Sequence, residues 1–435
     1  MPGTASNHPL DRHFGRNLAG ICGVELLWGL GMPVLIESTF LQLFLRNLGA
    51  SSFLVGLIPT LMSAGVAVFS LSSYSLTVRL VRKRGAVIAV HVAAALPVLV
   101  FGVVLAFTGT RPATLPLFFA AYSLLSIAVG LILPAWQNYL VKIFSENRSL
   151  RAMALMMIVQ SAAKLAGSLW LVRVVERYSF SALGSSLVFT LVGLVFLAGS
   201  FSFLLTVEEP EPLAPQTAGL RFSHLRSHAG GNRGFLLLLG TDLEYWALTG
   251  VISFYANFAT EYCGIPPALA SGLFVAFGYL GGVLANTLLG WANLLRVRDK
   301  YLFTKGLATA GIVLLAAHPA PWVFYLASLA FGASRGTRQM VYAPAVKRLS
   351  GAGDATLYFA VAPILSLPFS TGLPLANGAF LDRFARLGGW SYRSLFLAMA
   401  GLSLAGMFFT LRVPWKGPPL RTDQKKDPSG KGSSE

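Results

Sequence analysis

The stretch Gly23-Val24-Glu25-Leu26-Leu27-Trp28 puts a carboxylate inside the first long apolar run of the chain. It returns 217 residues later as Gly240-Thr241-Asp242-Leu243-Glu244-Tyr245. Each copy has a glycine, an acid two positions on and an aromatic three further. Each lies shortly inside an apolar segment that opens just after an arginine, Arg16 or Arg233. A carboxylate within a membrane span is expensive and marks a functional site by default. Two acids at matching places point to a duplicated machine with an acid in each half.

The rest of the chain agrees with a membrane setting. Hydrophobic residues make up 55% and charged residues 12%, with a mean hydropathy of +0.65. A soluble chain carries about 25% charge. Continuous apolar runs of about 20 residues span a bilayer as helices, whereas barrel strands are about half that length and alternate in polarity. The first run is too long for the apolar region of a signal peptide. Cys22 and Cys263 fall in different halves, so neither a disulfide framework nor a metal site is expected. No Walker, HExxH or CxxC motif occurs, so neither an enzyme nor a cofactor is expected.

The fold expected is all-α, with twelve transmembrane helices over 17–44, 53–78, 85–107, 113–141, 150–175, 184–206, 234–260, 268–293, 301–317, 321–346, 356–380 and 390–412. Residues 1–206 form one six-helix bundle and 234–412 the other. A cytoplasmic linker (207–233) joins them, and a disordered cytoplasmic tail (413–435) follows. With the N-terminus inside, 24 of the 34 lysines and arginines fall on the inner side, Lys305 among them. Seven fall outside, and Lys164, Arg335 and Arg338 remain within spans. That bias places both termini in the cytoplasm. It also accounts for the net charge of +17 without nucleic acid.

Two further correspondences support duplication. Val81-Arg82-Lys83-Arg84 matches Val297-Arg298-Asp299-Lys300, and Gly130 with Gln137 matches Gly332 with Gln339. On these features, and on Leu48-Gly49-Ala50-Ser51 before Val55-Gly56-Leu57, the chain resembles the major facilitator superfamily over 15–412. That family's loop motif is a glycine, an aspartate four on, then a basic cluster. Here Ser75 and Arg79 stand at the glycine and aspartate positions, so the charge relay of that aspartate does not carry over. The resemblance implies two halves rocking about a midplane site, with Arg82, Lys83, Arg84, Arg298 and Lys300 in cytoplasmic gate loops.

The candidate chemistry lies in the spans. Glu25, Asp242, Glu37 and Glu244 are the proton-coupling candidates, because a desolvated carboxylate is pushed towards the working pH. The alternative for Glu25 and Asp242 is an acid near a helix end that pairs with a loop arginine. Glu25 and Glu37 stand about 120° apart around one helix and need not share a cavity. Arg335, Arg338 and Gln339 share a helix face. Their arginines suit either a clamp on an anionic group or ion pairs with acids such as Asp242 or Glu25. Lys164 with Gln160 one turn earlier, and Trp136, Gln137 and Asn138, complete a polar lining. Lys164 also suits a counter-ion to Glu37. The small pairs Gly278/Gly282 and Ala163/Gly167 let helices approach closely, and the family layout that the resemblance implies has them pack the eighth span on the fifth. The phenylalanines are expected to face lipid.

The expected function is secondary transport of a small solute, proton-coupled and leaning to an anionic organic substrate. The chain is expected to act as a monomer in the plasma membrane, or the inner membrane in a bacterium. The alternatives are a hydrophobic drug/proton antiporter, whose buried charges would pair with one another, and a non-transporting sensor or accessory protein of the same fold.

Overall fold

The computed structural model describes residues 12–415 apart from 38, 78–79, 145, 211–230, 293 and 351–355. The linker's middle, the tail from 416 and Arg79 therefore lie outside the described residues. The first half contains α1 (Phe14–Leu35), α2 (Thr39–Asn47), α3 (Ser52–Thr77), α4 (Arg84–Thr108), α5 (Thr114–Ile143), α6 (Glu146–Tyr178) and α7 (Ala182–Ser202). The second contains α8 (Arg233–Thr241), α9 (Leu243–Tyr262), α10 (Pro267–Ala285), α11 (Val297–Ala317), α12 (Pro321–Ser350), α13 (Thr356–Leu365), α14 (Leu373–Arg383) and α15 (Gly389–Arg412). No strand occurs among the described residues.

Among the described residues, ten helical stretches are long and apolar enough to cross a membrane. The two left over are consistent with the expected twelve. The first is α12, which carries Arg335 and Arg338 midway. The second is 356–383, where Pro363 and a π-helical turn over Pro368–Gly372 break α13 from α14. Proline withdraws an amide from the helical ladder, and neighbouring helices make the break tolerable in lipid. Two further breaks place acids. Pro33 precedes the end of α1, and Glu37 follows before α2 begins. Asp242 is the joint between α8 and α9.

The halves repeat each other in packing. α1 lies on α7, and α8 and α9 lie on α15. Gly23 faces Ser202 in the first pair and Gly240 faces Phe409 in the second. α3 lies on α5 as α10 lies on α12. A Cβ on Gly130 would stand 2.1 Å from the Gly65 carbonyl oxygen, and one on Gly332 would stand 1.7 Å from that of Gly278. The Gly130/Gly332 correspondence is thus a backbone-to-backbone contact made twice.

Three expectations about packing are corrected. Gly278 and Gly282 face Gly332 and Gly336 of α12, and Ala163 and Gly167 face Gly29 and Leu30 of α1. Both pairs therefore serve their own half. α6 and α10 do pack on each other across the halves, but there Gly272 meets Ser168 and Val172. The phenylalanines fill interiors instead of only facing lipid. Phe40, Phe44, Phe101, Phe118 and Phe189 form one buried cluster, and Phe258, Phe274, Phe324 and Phe396 belong to another. Lipid does not drive apolar groups inward, so helices associate by close packing, and flat rings stacked edge to face supply it. Finally, α11 begins four residues before the expected span, which draws Lys300 and Lys305 into the buried part of the bundle.

At the end of the molecule opposite the termini the halves are tied together. Arg46 pairs with Glu261 at 2.8 Å. Gln42 donates to the Ile252 carbonyl and Thr39 to that of Ser271. Asp382, in the last turn of α14, accepts the Ser52 and Phe53 amides at 2.7 and 2.8 Å, capping α3 from the other half. Close to this contact, Gly49 turns the chain between α2 and α3 with φ +79°, a conformation that favours glycine. At the termini end, Glu208 accepts the Lys83 and Arg84 amides and the Lys142 ammonium. Burial alone would push the Glu208 carboxyl up, but the Lys142 hydrogen bond and the two amides outweigh it and hold the group below its usual value.

Candidate functional site

The buried charges of the spans meet in the middle of the bundle. Arg338 grips Asp242 with two hydrogen bonds of 2.8 and 2.7 Å, and its guanidinium lies between the Tyr245 and Tyr342 rings. The aromatic of the repeated motif thus covers the cation that holds the motif's acid. The helix break at Asp242 turns that carboxylate toward α12. Arg335, one turn away, reaches across to the first half and pairs with Glu37 at 2.7 Å. Tyr279 donates to the same carboxylate at 3.1 Å. Glu37 is therefore the point where both halves share a charge at mid-depth.

Lys164 lies over the Tyr279 ring, 5.1 Å from its centroid, and interacts electrostatically with Glu37 first and Glu25 second. Glu244 turns away from Asp242, as two residues apart on a helix require. It accepts from the Lys305 ammonium at 2.8 Å and the Ser334 hydroxyl at 2.7 Å. Lys305 also donates to the Thr241 carbonyl. The sequence reading missed Lys305 because, although it falls inside the expected 301–317 span, it was counted with the basic loop on the inner side. The available signal was its position one turn beyond Tyr301 in an otherwise apolar stretch.

Four acids (Glu25, Glu37, Asp242, Glu244) thus face four cations (Lys164, Lys305, Arg335, Arg338) among the described residues. Glu25 is the odd member. Its direct partner is the Gln160 amide, which donates to it, and no ion pair reaches it among the described residues. The charged or titratable groups around it are Cys22 on its own helix, Lys164 on α6 and His91 on α4.

Glu25 and Gln160 line a cavity of about 170 Å³ within the first half. Its other walls are apolar and aromatic, with Trp28, Met32, Trp136 and Phe196 among them, and His91 beside them. The Trp28 ring stacks on Phe196 at 4.2 Å, and its indole N–H donates to the Phe196 carbonyl. His91 stands edge-on to Trp28 at 4.9 Å and is anchored by a 2.7 Å bond between Nδ1 and the Val87 carbonyl. Of the expected lining, Trp136 and Gln160 belong to this cavity. Gln137 and Gln339 are exposed, and the Asn138 side chain lies outside the described residues. Arg82 and Arg298 are exposed, Lys83 and Arg84 start α4, and Lys300 is buried in the first turn of α11. Trp28 and His91 were not expected as lining, since single aromatics at helical spacing read as core.

Comparison with known proteins fits this architecture. Among curated proteins, none matches in sequence. A mutant of the nucleoside transporter NupG superposes with a TM-score of 0.68 at 13% identity, covering 92% of this chain and 99% of that one. A bacterial homologue of the human lysosomal transporter Spinster, in an inward-facing and occupied conformation, gives 0.68 at 14% identity, covering 94% and 97%. A POT family transporter in complex with a thioalcohol-conjugated peptide gives 0.68 at 13%, covering 92% and 97%. The family model of the Major Facilitator Superfamily matches residues 31–362, most of the chain. The chain therefore belongs to the major facilitator superfamily, as a multi-pass membrane transporter and not an enzyme.

Proposed function

We propose that this protein is a proton-coupled secondary transporter in which Glu25 carries the coupling proton. One observation carries the reading. Three of the four mid-bundle acids hold a lysine or arginine in contact, whereas Glu25 holds a neutral amide. A carboxylate fixed by a strong cation gives up its place to a proton at high cost. One bonded to an amide keeps its hydrogen bond when it is protonated, with the amide oxygen as acceptor. Glu25 therefore suits loading and release better than Asp242, Glu37 or Glu244, whose pairing suits them to joining helices and halves. The halves rock about this centre, the termini lie in the cytoplasm, and the protein works in the plasma membrane or a bacterial inner membrane.

The substrate is a small solute. The reason for expecting an anionic one was the three buried cations Lys164, Arg335 and Arg338, and Glu37 and Asp242 hold the two arginines in ion pairs while Glu37 is the leading electrostatic partner of Lys164. This pairing of buried charge is what the antiporter alternative anticipated, so export of an apolar or cationic compound against protons is the reading favoured here.

The test needs no substrate. In infrared titration of the reconstituted protein, a protonated-carboxyl band should grow as pH falls through the near-neutral range and be missing in Glu25→Gln. Persistence of the same band in Glu25→Gln, with loss in Asp242→Asn, would move the proton to the second half and sink the assignment.

A further inference from the structure

We propose that the cavity beside Glu25 is the substrate site and that it takes a ring bearing a positively charged nitrogen, such as an aromatic or benzylic ammonium. The inference rests on the transport reading above and names its substrate class.

Size, wall chemistry and charge each contribute. An apolar cavity of about 150 Å³ accepts benzene, so about 170 Å³ has room for one ring with a small substituent. The walls offer flat aromatic faces already held in place. The Trp28 indole is pinned by its stack on Phe196 and its bond to the Phe196 carbonyl. The His91 ring is pinned by its bond to the Val87 carbonyl. Rings fixed in advance lose little freedom on binding, and tryptophan faces are the best partners for a cation. Two polar side chains besides His91 line the space, Glu25 and Gln160, and both lie at one wall. A ligand with an apolar body and one polar end matches that layout.

The sign of that end follows from the charge inventory. Every cation of the mid-bundle is directed elsewhere. Arg335 is on Glu37, Arg338 on Asp242 and Lys305 on Glu244. Lys164 leans over Tyr279, with Glu37 its stronger electrostatic partner. None of the four lines the cavity. An anionic ligand would meet a carboxylate with no cation on the cavity wall, since Lys164 stands outside the lining beside Tyr279 and Glu37, whereas a cationic one would complete Glu25. All the lining residues belong to the first half, so the ligand would ride with that half when the bundles rock.

The experiment is equilibrium binding to the purified full-length protein at one fixed pH, read by tryptophan quenching and by thermal shift. The probe is benzylammonium, a single ring with a small substituent that is fully charged at neutral pH. Its uncharged isostere ethylbenzene and the anion phenylacetate serve as comparisons. The cation should bind at least tenfold tighter than the isostere, and phenylacetate should not bind. Glu25→Gln should weaken the cation at least tenfold without affecting the isostere. Val129→Phe, which fills the cavity, should weaken both probes, with Leu133→Phe as a second filling variant should the first fail to fold. Trp136→Phe should reduce the quenching signal but retain the thermal shift. Equal binding of cation and isostere would overturn the charge assignment, and binding that survives both filling variants would overturn the site. The infrared band reports the Glu25 proton independently, so its presence beside failed binding would refute the substrate class and leave proton coupling standing.

Discussion

Replacing Asp382 with alanine should loosen the bundle at the end opposite the termini. Asp382 sits in the last turn of α14 and accepts the amides of Ser52 and Phe53, the first two residues of α3, from across the interface between halves. Both amides belong to a helix start that has no intrahelical acceptor for them. A side-chain cap of this kind contributes about 0.5–2 kcal/mol. Asp382 is exposed to solvent, so the two bonds together are placed at about 1–2 kcal/mol, a factor of about 5–30 in an equilibrium. They can form only while that end is closed, because the partners ride on different halves. Spin labels at positions 111 and 387, both exposed and on opposite halves at that end, would report the opening by electron–electron double resonance. Cys22 and Cys263 would first be replaced by serine. In Asp382→Ala the ratio of long to short distances should rise about 5- to 30-fold. An unchanged distribution would show that water replaces the carboxylate at no cost and that other contacts hold the end shut.

Two further outcomes test the packing and the charge cluster. Lys305→Met leaves Glu244 buried with the Ser334 hydroxyl and no cation in contact, and breaking such a pair costs about 3–5 kcal/mol. Thermal unfolding should therefore fall sharply in that variant and recover in the double variant Lys305→Met/Glu244→Met. A double variant no better than the single would mean that the lysine stabilises by packing. Gly332→Ala must part α12 from α10, since its Cβ would stand 1.7 Å from the Gly278 carbonyl oxygen, whereas Gly401→Ala meets nothing within 4 Å. The first should lower the melting temperature and the second leave it unchanged.

Much of the architecture was legible in the sequence because hydropathy and glycine spacing are local properties. The apolar runs located the helices, and the Gly130/Gly332 correspondence marked a backbone contact repeated in both halves. Glu25, Glu37, Asp242, Glu244, Lys164, Arg335 and Arg338 stood out because charge is costly in lipid. Who pairs with whom did not show. Glu37 and Arg335 are 298 residues apart, and which of two nearby acids an arginine takes depends on a helix break near Pro33 and another at Asp242. Lys305 was misplaced because it follows Arg296, Arg298 and Lys300 closely enough to be counted with that basic loop, although it lies within the expected span. The aromatic cavity was invisible because its walls come from five helices and each ring alone reads as packing. Asp382 and Glu208 were passed over because they lie outside the spans, where a carboxylate costs little and attracts no notice.

The balance of four acids and four cations has an electrical consequence. If these groups keep their charges while the halves rock, three acids and four cations leave one positive charge in the moving protein, which an ionised Glu25 cancels and which otherwise stays the same in both directions of travel. One proton leaving as one monovalent cation arrives keeps that centre's charge the same in both directions of travel. A one-for-one exchanger of this design passes no net current over a full cycle. A steady current in a planar bilayer would therefore count the extra protons in each cycle.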